Sequence, residues 1–131
     1  MFQIKNVFAH CDIPCGIYET DTVKHAGATC LRMVEKIEAL GELNTPEKYN
    51  NFVRMVNIKE DSAQKVKNEL YLLWSDYFKP EHLEKYSNLH EIFWKTVKQA
   101  STVKQTVSKE ECHKLIEMIE KVDKIFIDSK V

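Results

Sequence analysis

Apolar residues recur three or four positions apart through most of the chain after residue 20, and this spacing constrains the fold more than any other feature. Such a period places apolar side chains on one face of an α-helix. The 131 residues include only three Gly and three Pro, which leaves little room for the turns of an all-β fold. A hydrophobic fraction of 44% suits one domain with a sizeable core. The pattern therefore predicts a single all-α domain.

Start and stop signals divide this domain into four predicted helices. The first covers about residues 21 to 40 and ends at Gly41. The second starts at Thr45-Pro46-Glu47, an N-cap followed by a first-turn proline and acid, and continues to about Ser75. A third helix is expected over about residues 87 to 101. The fourth is expected to start at a capping box over residues 108 to 111. Moderate connections favour antiparallel neighbours, so we expect an up-and-down antiparallel four-helix bundle.

Aromatic and cysteine residues within these helices are assigned to the interior. Trp74 and Trp94 are expected in the core. Cys30 and Cys112 are interpreted as buried free thiols, because free cysteine behaves as a small hydrophobe. A chain with enough core to fold without disulfides indicates a reducing, cytoplasmic location.

Charge and hydropathy argue against two classes of partner. A net charge of −1 gives no general reason to expect a nucleic acid or an anionic membrane surface as partner. No apolar run approaches the roughly 20 residues of a membrane span. Residues 1–9, MFQIKNVFA, contain too short an apolar stretch for a secretory signal.

The residues most suited to chemistry lie at positions 10 to 18, HCDIPCGIY. Pro14 fixes its own φ, and Gly16 can adopt a positive φ, so the chain can fold Cys11 and Cys15 towards each other. Two thiolates beside the His10 imidazole suit zinc, copper(I), iron or nickel. A zinc half-site completed by His25 or Cys30 is one alternative. The predicted bundle thus carries a metal-binding hook at its N-terminal end.

A cut before His10 would change the donor set of this hook. The new α-amine and the deprotonated amide nitrogen of Cys11 would close one five-membered chelate, and that amide with the Cys11 sulfur would close another. With the sulfur of Cys15, two nitrogens and two sulfurs lie in one plane, and the imidazole can approach axially. Nickel(II) and copper(II) take such planar or tetragonal coordination.

Three motifs resemble the nickel superoxide dismutase family across about residues 10 to 128. The first is the hook itself. The second is WSDYFKP at residues 74 to 80, followed by His82 and the EKY run at 84 to 86. The third and weakest covers residues 119 to 126, around DKIF at 123 to 126. The resemblance implies a four-helix domain over residues 10–131, with the hook at 10–18, and a leader over residues 1–9 that a peptidase removes.

The resemblance also implies an activity and roles for six residues. His10, Cys11 and Cys15 would bind one nickel ion per chain, and Ni(II)/Ni(III) cycling would convert superoxide to dioxygen and hydrogen peroxide. Tyr18 and Tyr77 match tyrosines that line the family's substrate access, and Asp12 matches a residue that helps hold the site. Family members assemble as hexamers, so a homohexamer is expected.

Two points depart from a simple transfer of the family's site. The family commonly has an acidic residue that supports the axial histidine where this chain has Ala26, so Glu19 or another acid is expected to replace it. Lys79 could attract superoxide weakly, although a solvated lysine is the simpler interpretation. The alternative function is a non-catalytic helical module that binds zinc or nickel.

Overall fold

The computed structural model describes residues 16–130, and within them all regular structure is helical. Leu73–Tyr77 forms a π-helical turn directly after the second helix. The α-helices are α1 Asp21–Ala39, α2 Pro46–Leu72, α3 Pro80–Lys85, α4 Leu89–Gln105 and α5 Lys109–Ser129. None of them combines the length and the apolar character needed to cross a bilayer.

The four long helices form a closed ring around one core. Helix α1 packs against α2 and α5, and α4 packs against the same two helices. Long helices that follow each other in the chain are thus neighbours in space. The short α3 belongs to the connection between α2 and α4. This confirms the predicted all-α bundle.

Local signals at the helix ends behave largely as predicted. The Thr45 side chain accepts a hydrogen bond from the Lys48 N–H (3.2 Å) at the start of α2. Gly41 follows α1 with a φ of 63°, the left-handed conformation that favours glycine after a helix. At the start of α5 only half of the capping box forms. Ser108 accepts from the Glu111 N–H (3.2 Å), whereas the Glu111 carboxylate accepts from the Gln99 side chain (2.7 Å).

The core contains the expected apolar faces and one lysine. The fully buried apolar side chains include Val23, Val34, Val66, Leu70, Leu89, Leu115, Ile119 and Val122. Cys30 and Cys112 are buried free thiols, as predicted. Lys59 lies on the core-facing side of α2, is 2% exposed, and donates from Nζ to the backbone carbonyls of Val103 (2.7 Å), Lys104 (2.8 Å) and Thr106 (2.7 Å). Its ammonium group therefore caps the C-terminal end of α4.

The prediction that Trp74 and Trp94 are core residues is wrong. Their side chains are 45% and 62% exposed. Both line an apolar groove of about 460 Å³ on the outside of α2 and α4. The Trp74 indole N–H donates to Nδ1 of His90 (2.8 Å), and the Lys98 ammonium lies 5.6 Å from the centre of the Trp94 ring. Their spacing put both residues beside the apolar face of a helix, but both side chains lie outside the buried part of that face.

The segment between α2 and α4 also differs from expectation. The α-helical pattern ends at Leu72, before the predicted limit, because the π turn takes over there. Helix α3 was not predicted, since six residues are too few for a periodic signal and Pro80 was interpreted as a break. The structure uses Pro80 as the first residue of that helix, a position where proline costs no hydrogen bond.

Candidate functional site

The candidate site lies at the end of the bundle where the described chain begins. Of the six predicted site residues, His10, Cys11, Asp12 and Cys15 fall outside residues 16–130. Tyr18 and Tyr77 are described, and the structure brings them together. Their ring centres are 5.6 Å apart, with the ring planes inclined at 56°. Two tyrosines far apart in sequence thus face each other next to the hook.

The chain that leads out of the hook is fixed to the bundle. Gly16 has a φ of 94°, a conformation that side chains disfavour, as the predicted tight turn requires. Tyr18 is only 7% exposed and belongs to the hydrophobic core. Thr20 donates its hydroxyl hydrogen to Asp123 of α5 (2.5 Å), and the Lys24 ammonium lies 3.2 Å from the same carboxylate. These contacts hold the base of the hook against α1 and α5.

A cavity of about 290 Å³ opens between the two tyrosines and the start of α3. Its lining combines aromatic, acidic and basic side chains from three chain segments. The lining residues are Gly16, Tyr18, Asp76, Tyr77, Lys79, Glu81 and His82. Because Gly16 directly follows Cys15, the cavity lies at the base of the hook.

The π turn sets the position of Tyr77. The Phe78 N–H donates to the Leu73 carbonyl (3.1 Å) across the turn, and Phe78 itself is extended. Such a turn inserts an extra residue into a helix and redirects the side chains that follow, and π turns are frequent at functional sites. Here the Tyr77 ring contacts both Phe78 (4.9 Å between centres) and Phe126 of α5 (4.8 Å). The ring is thereby held between the site and the core.

The Tyr77 hydroxyl hydrogen is directed away from the cavity. Its oxygen lies 2.7 Å from Oγ of Ser129, and the Ser129 hydroxyl donates to the Phe126 carbonyl (2.6 Å). A serine hydroxyl has one hydrogen. Since Ser129 gives it to a carbonyl, Tyr77 must be the donor to Ser129. Sequence reasoning missed Ser129. The residues around this serine give no sign that its hydroxyl binds a tyrosine 52 positions earlier in the chain.

Burial favours the neutral thiol form of the other two cysteines, Cys30 and Cys112. It raises the pKa of Cys30 to about 12 and the pKa of Cys112 to about 11. Metal-binding cysteines coordinate as thiolates. Within residues 16–130 no group of three or more His, Cys, Asp or Glu side chains is arranged to hold a metal ion. His10, Cys11 and Cys15, the predicted half-site for zinc, lie outside this range.

Comparison with known proteins identifies the family. The sequence pattern of the nickel-containing superoxide dismutases matches residues 5–130. The superoxide dismutase [Ni] of Streptomyces seoulensis is 36% identical over 124 residues, which cover 95% of this chain and 90% of that protein. The enzyme of the same name from Streptomyces coelicolor is also 36% identical, over 125 residues.

The chain belongs to the nickel-containing superoxide dismutase family.

Solved structures of this family agree with the fold. A native nickel superoxide dismutase structure superimposes with a TM-score of 0.82 at 34% identity, covering 93% of this chain and all of the other. A second, with nickel ligation described as the state after partial X-ray-induced reduction, gives a TM-score of 0.83 at 35% identity and covers 92% of this chain and 98% of the other.

Membership of the nickel superoxide dismutase family establishes the activity and the metal. The chain is a nickel-dependent oxidoreductase that disproportionates superoxide. The resemblance drawn from the three motifs is thereby confirmed, and the alternative of a non-catalytic metal-binding module is not favoured.

Two acids lie near the point where the hook joins the nickel superoxide dismutase fold. Ala26, where the sequence resemblance predicts that a supporting acid is missing, is buried, and its methyl side chain cannot form a hydrogen bond. Partial burial raises the pKa of Glu19, but hydrogen bonds from the Thr22 hydroxyl and N–H outweigh this and leave that pKa lowered. Burial, and then the charge of Glu19, raise the pKa of Glu69 on α2. Glu19 and Glu69 are thus close enough to influence each other.

Proposed function

We propose that His10, Cys11 and Cys15 bind one nickel ion per chain after residues 1–9 have been removed, so that residues 10–131 are the mature domain. The donor set supports this, since an amine, an amidate and two thiolates suit planar nickel(II) and leave the imidazole for the axial side. The observation that carries the proposal is the cavity at the base of the hook, where Tyr18 and Tyr77 meet.

Nickel in this donor set supplies the one-electron Ni(II)/Ni(III) couple that dismutation requires. The chain's own residues control access to it. Tyr18 and Tyr77, whose rings are in contact, line one side of the cavity and limit its contents to small molecules. The Tyr77 hydroxyl is fixed by Ser129 and shapes the cavity without donating its hydrogen to the substrate. Asp12 helps hold the hook, and Lys79 places a positive charge at the cavity.

The supporting acid for the His10 imidazole is proposed to be Glu19 or Glu69. The Ala26 side chain cannot accept a hydrogen bond, and these two carboxylates lie near the point where the hook joins the bundle. Acids that bind the second nitrogen of a ligating histidine fix its orientation and raise its basicity. Replacing each by glutamine in turn, and measuring the nitrogen hyperfine coupling of the oxidised centre, would show which one acts.

The decisive experiment compares the full chain with a chain that begins at His10. Only the shortened chain has a free amine at His10, so it should bind about one nickel per chain and remove superoxide, whereas the full chain should do neither. Electron paramagnetic resonance of the oxidised protein should show a nickel(III) signal with axial nitrogen coupling. A shortened chain that binds zinc or no metal, and leaves superoxide unchanged, would overturn the proposal.

Variants separate the roles of the ligands. Cys11→Ser and Cys15→Ser should each abolish nickel binding, while Cys30→Ala is the matched control, because its buried thiol has no part in the site. His10→Ala keeps the terminal amine but removes the imidazole, so nickel should still bind and the axial nitrogen coupling should disappear. Activity retained in either cysteine-to-serine variant would contradict the ligand assignment.

Assembly into a hexamer in the cytoplasm completes the proposal. Thiolates next to a source of peroxide are open to oxidation, and a neighbouring chain would cover the hook. The exposed apolar groove beside Trp74 and Trp94 supports association, since such surface is costly to leave in water. Light scattering after size exclusion would count the chains, and a fully active monomer would reject the hexamer. Detecting the chain without residues 1–9 in a cytoplasmic fraction would test the location.

A further inference from the structure

We propose that His82 donates a hydrogen bond from its Nε2 nitrogen to the anion that enters the cavity lined by Tyr18 and Tyr77. The identity of that anion as superoxide rests on the function proposed above. The hydrogen bond itself depends only on residues that the structure describes.

The backbone determines which nitrogen of His82 carries hydrogen. The Lys79 N–H points at Nδ1 of His82, with 3.0 Å between the two nitrogens. A backbone N–H can only donate, so Nδ1 must be the acceptor and carries no hydrogen. The ring is therefore neutral, and its one N–H is at Nε2. The imidazole offers the cavity a donor and not an acceptor.

Aromatic neighbours hold the His82 ring in one orientation. It stacks on Tyr77 with 5.7 Å between ring centres and 12° between planes. The edge of Phe78 meets it at 89°, with centres 5.5 Å apart. The side chain is half-buried and lines the cavity together with both tyrosines. A ring fixed by two aromatic contacts and one hydrogen bond presents its N–H in a constant direction, and a preorganised donor loses little entropy when it binds.

The charges around the cavity explain why a neutral donor matters. The residues that line the cavity include one lysine, Lys79, and two acids, Asp76 and Glu81. The formal charge of the lining therefore does not favour an anion. Recognition must come from groups that act at hydrogen-bond distance, and the Tyr77 hydroxyl already donates to Ser129. The Nε2–H of His82 meets this requirement.

Two substitutions separate the donor from the other roles of His82. His82→Asn keeps an acceptor for the Lys79 N–H, because Oδ1 lies as many bonds from Cβ as Nδ1 does, but it removes the ring and Nε2–H. His82→Phe keeps the stacked ring and removes both nitrogens. If the donor matters, both variants should lose about three- to tenfold in kcat/KM for superoxide at unchanged nickel content. If His82 acts only by stacking on Tyr77, the phenylalanine variant should keep its kcat/KM. If His82 acts only by accepting the Lys79 N–H, the asparagine variant should keep its kcat/KM. Either result would overturn the proposal.

A second measurement needs neither nickel nor activity. Long-range ¹H–¹⁵N correlation spectra of the full chain without nickel should show His82 as the Nε2–H tautomer. Titration with sodium azide, a small monoanion, at constant ionic strength should shift the Nε2 resonance, and His113 on α5 serves as the internal control. An Nδ1–H tautomer, or an Nε2 resonance that azide leaves unchanged, would reject the proposal. Because this readout is independent of the metal, failure of the nickel site would not be mistaken for failure of the donor.

Salt dependence distinguishes His82 from Lys79. A neutral donor acts at contact, so the loss of kcat/KM in the His82 variants should persist as ionic strength rises. The effect of Lys79→Met should fade over the same range, because exposed charges are screened. A His82 effect that disappears in salt would show that charge, and not the Nε2–H, was responsible.

Discussion

Replacing Lys59 with methionine should destabilise the bundle substantially. Lys59 is 2% exposed and its ammonium group binds three backbone carbonyls at the end of α4. Methionine fills a similar volume and removes only the charged head. The substitution therefore leaves the carbonyls of Val103, Lys104 and Thr106 without their hydrogen-bond donor in a place that water reaches poorly.

The expected loss follows from these contacts. A hydrogen bond to a charged group contributes about 1.5–3 kcal/mol, and three are lost. Part of this loss is offset, because burying the charged ammonium group costs several kcal/mol of free energy, and methionine carries no such charge. The carbonyls of Lys104 and Thr106, whose hydrogen bonds are only partly buried, can also recover water. We expect a net loss of about 2–4 kcal/mol in the free energy of unfolding, which corresponds to a fall of roughly 10 °C in Tm for a chain of this size.

Urea denaturation of Lys59→Met and Lys65→Met at equal protein concentration provides the test. Lys65 is an exposed lysine on the same helix, so its substitution controls for the change in net charge. The midpoint should fall for Lys59→Met at an unchanged m-value, since the folded surface is the same. Fixed concentration matters because association stabilises folded chains.

Equal stability of the two variants would refute the reasoning. A difference below about 0.5 kcal/mol, the range of ordinary surface substitutions, would mean that the cost of burying the ammonium cancels its three hydrogen bonds. The lysine would then fix the position of α4 without stabilising the fold.

Three further predictions concern single contacts. Ser129→Ala should lower the free energy of unfolding by about 1 kcal/mol, measured by urea denaturation, because the tyrosine hydroxyl that donates to it loses its acceptor; an unchanged midpoint would mean that water replaces the serine. Glu69→Gln should raise Tm at pH 7. Burial, and then the charge of Glu19, raise the pKa of Glu69 in the folded state, so its contribution to stability is present below the unfolded pKa and is lost as pH rises through the folded pKa. The advantage of the glutamine variant should therefore vanish in melts below about pH 4, and an advantage that persists there would contradict this account. Ser108→Ala should lower the free energy of unfolding by about 1 kcal/mol, measured by thermal denaturation, because the Glu111 N–H loses the side chain that accepts its hydrogen bond. An unchanged free energy of unfolding would show that this hydrogen bond does not stabilise the fold.

The sequence alone determined the four long helices and most of their packing faces. The spacing of apolar residues predicted α1 nearly to its limits, and Thr45-Pro46 and Ser108 marked the starts of α2 and α5, because capping depends on residues only three positions apart. The hook motif at residues 10 to 18 and the WSDYFKP motif were enough to indicate the family. Its ligands stay predictions, since His10, Cys11 and Cys15 lie outside the described residues.

Only the tertiary structure decided which side chains meet across the chain. Periodicity places Trp74 near an apolar face but cannot say how far the next helix covers it, and so the residue was wrongly assigned to the core. It likewise gave no reason for a lysine to lie inside the bundle, because the carbonyls that bind Lys59 belong to another helix. The stack of His82 on Tyr77, and the serine that takes the hydrogen of Tyr77, depend on a π turn and on the end of α5. Contacts between distant segments are set by packing, and packing is a property of the whole fold.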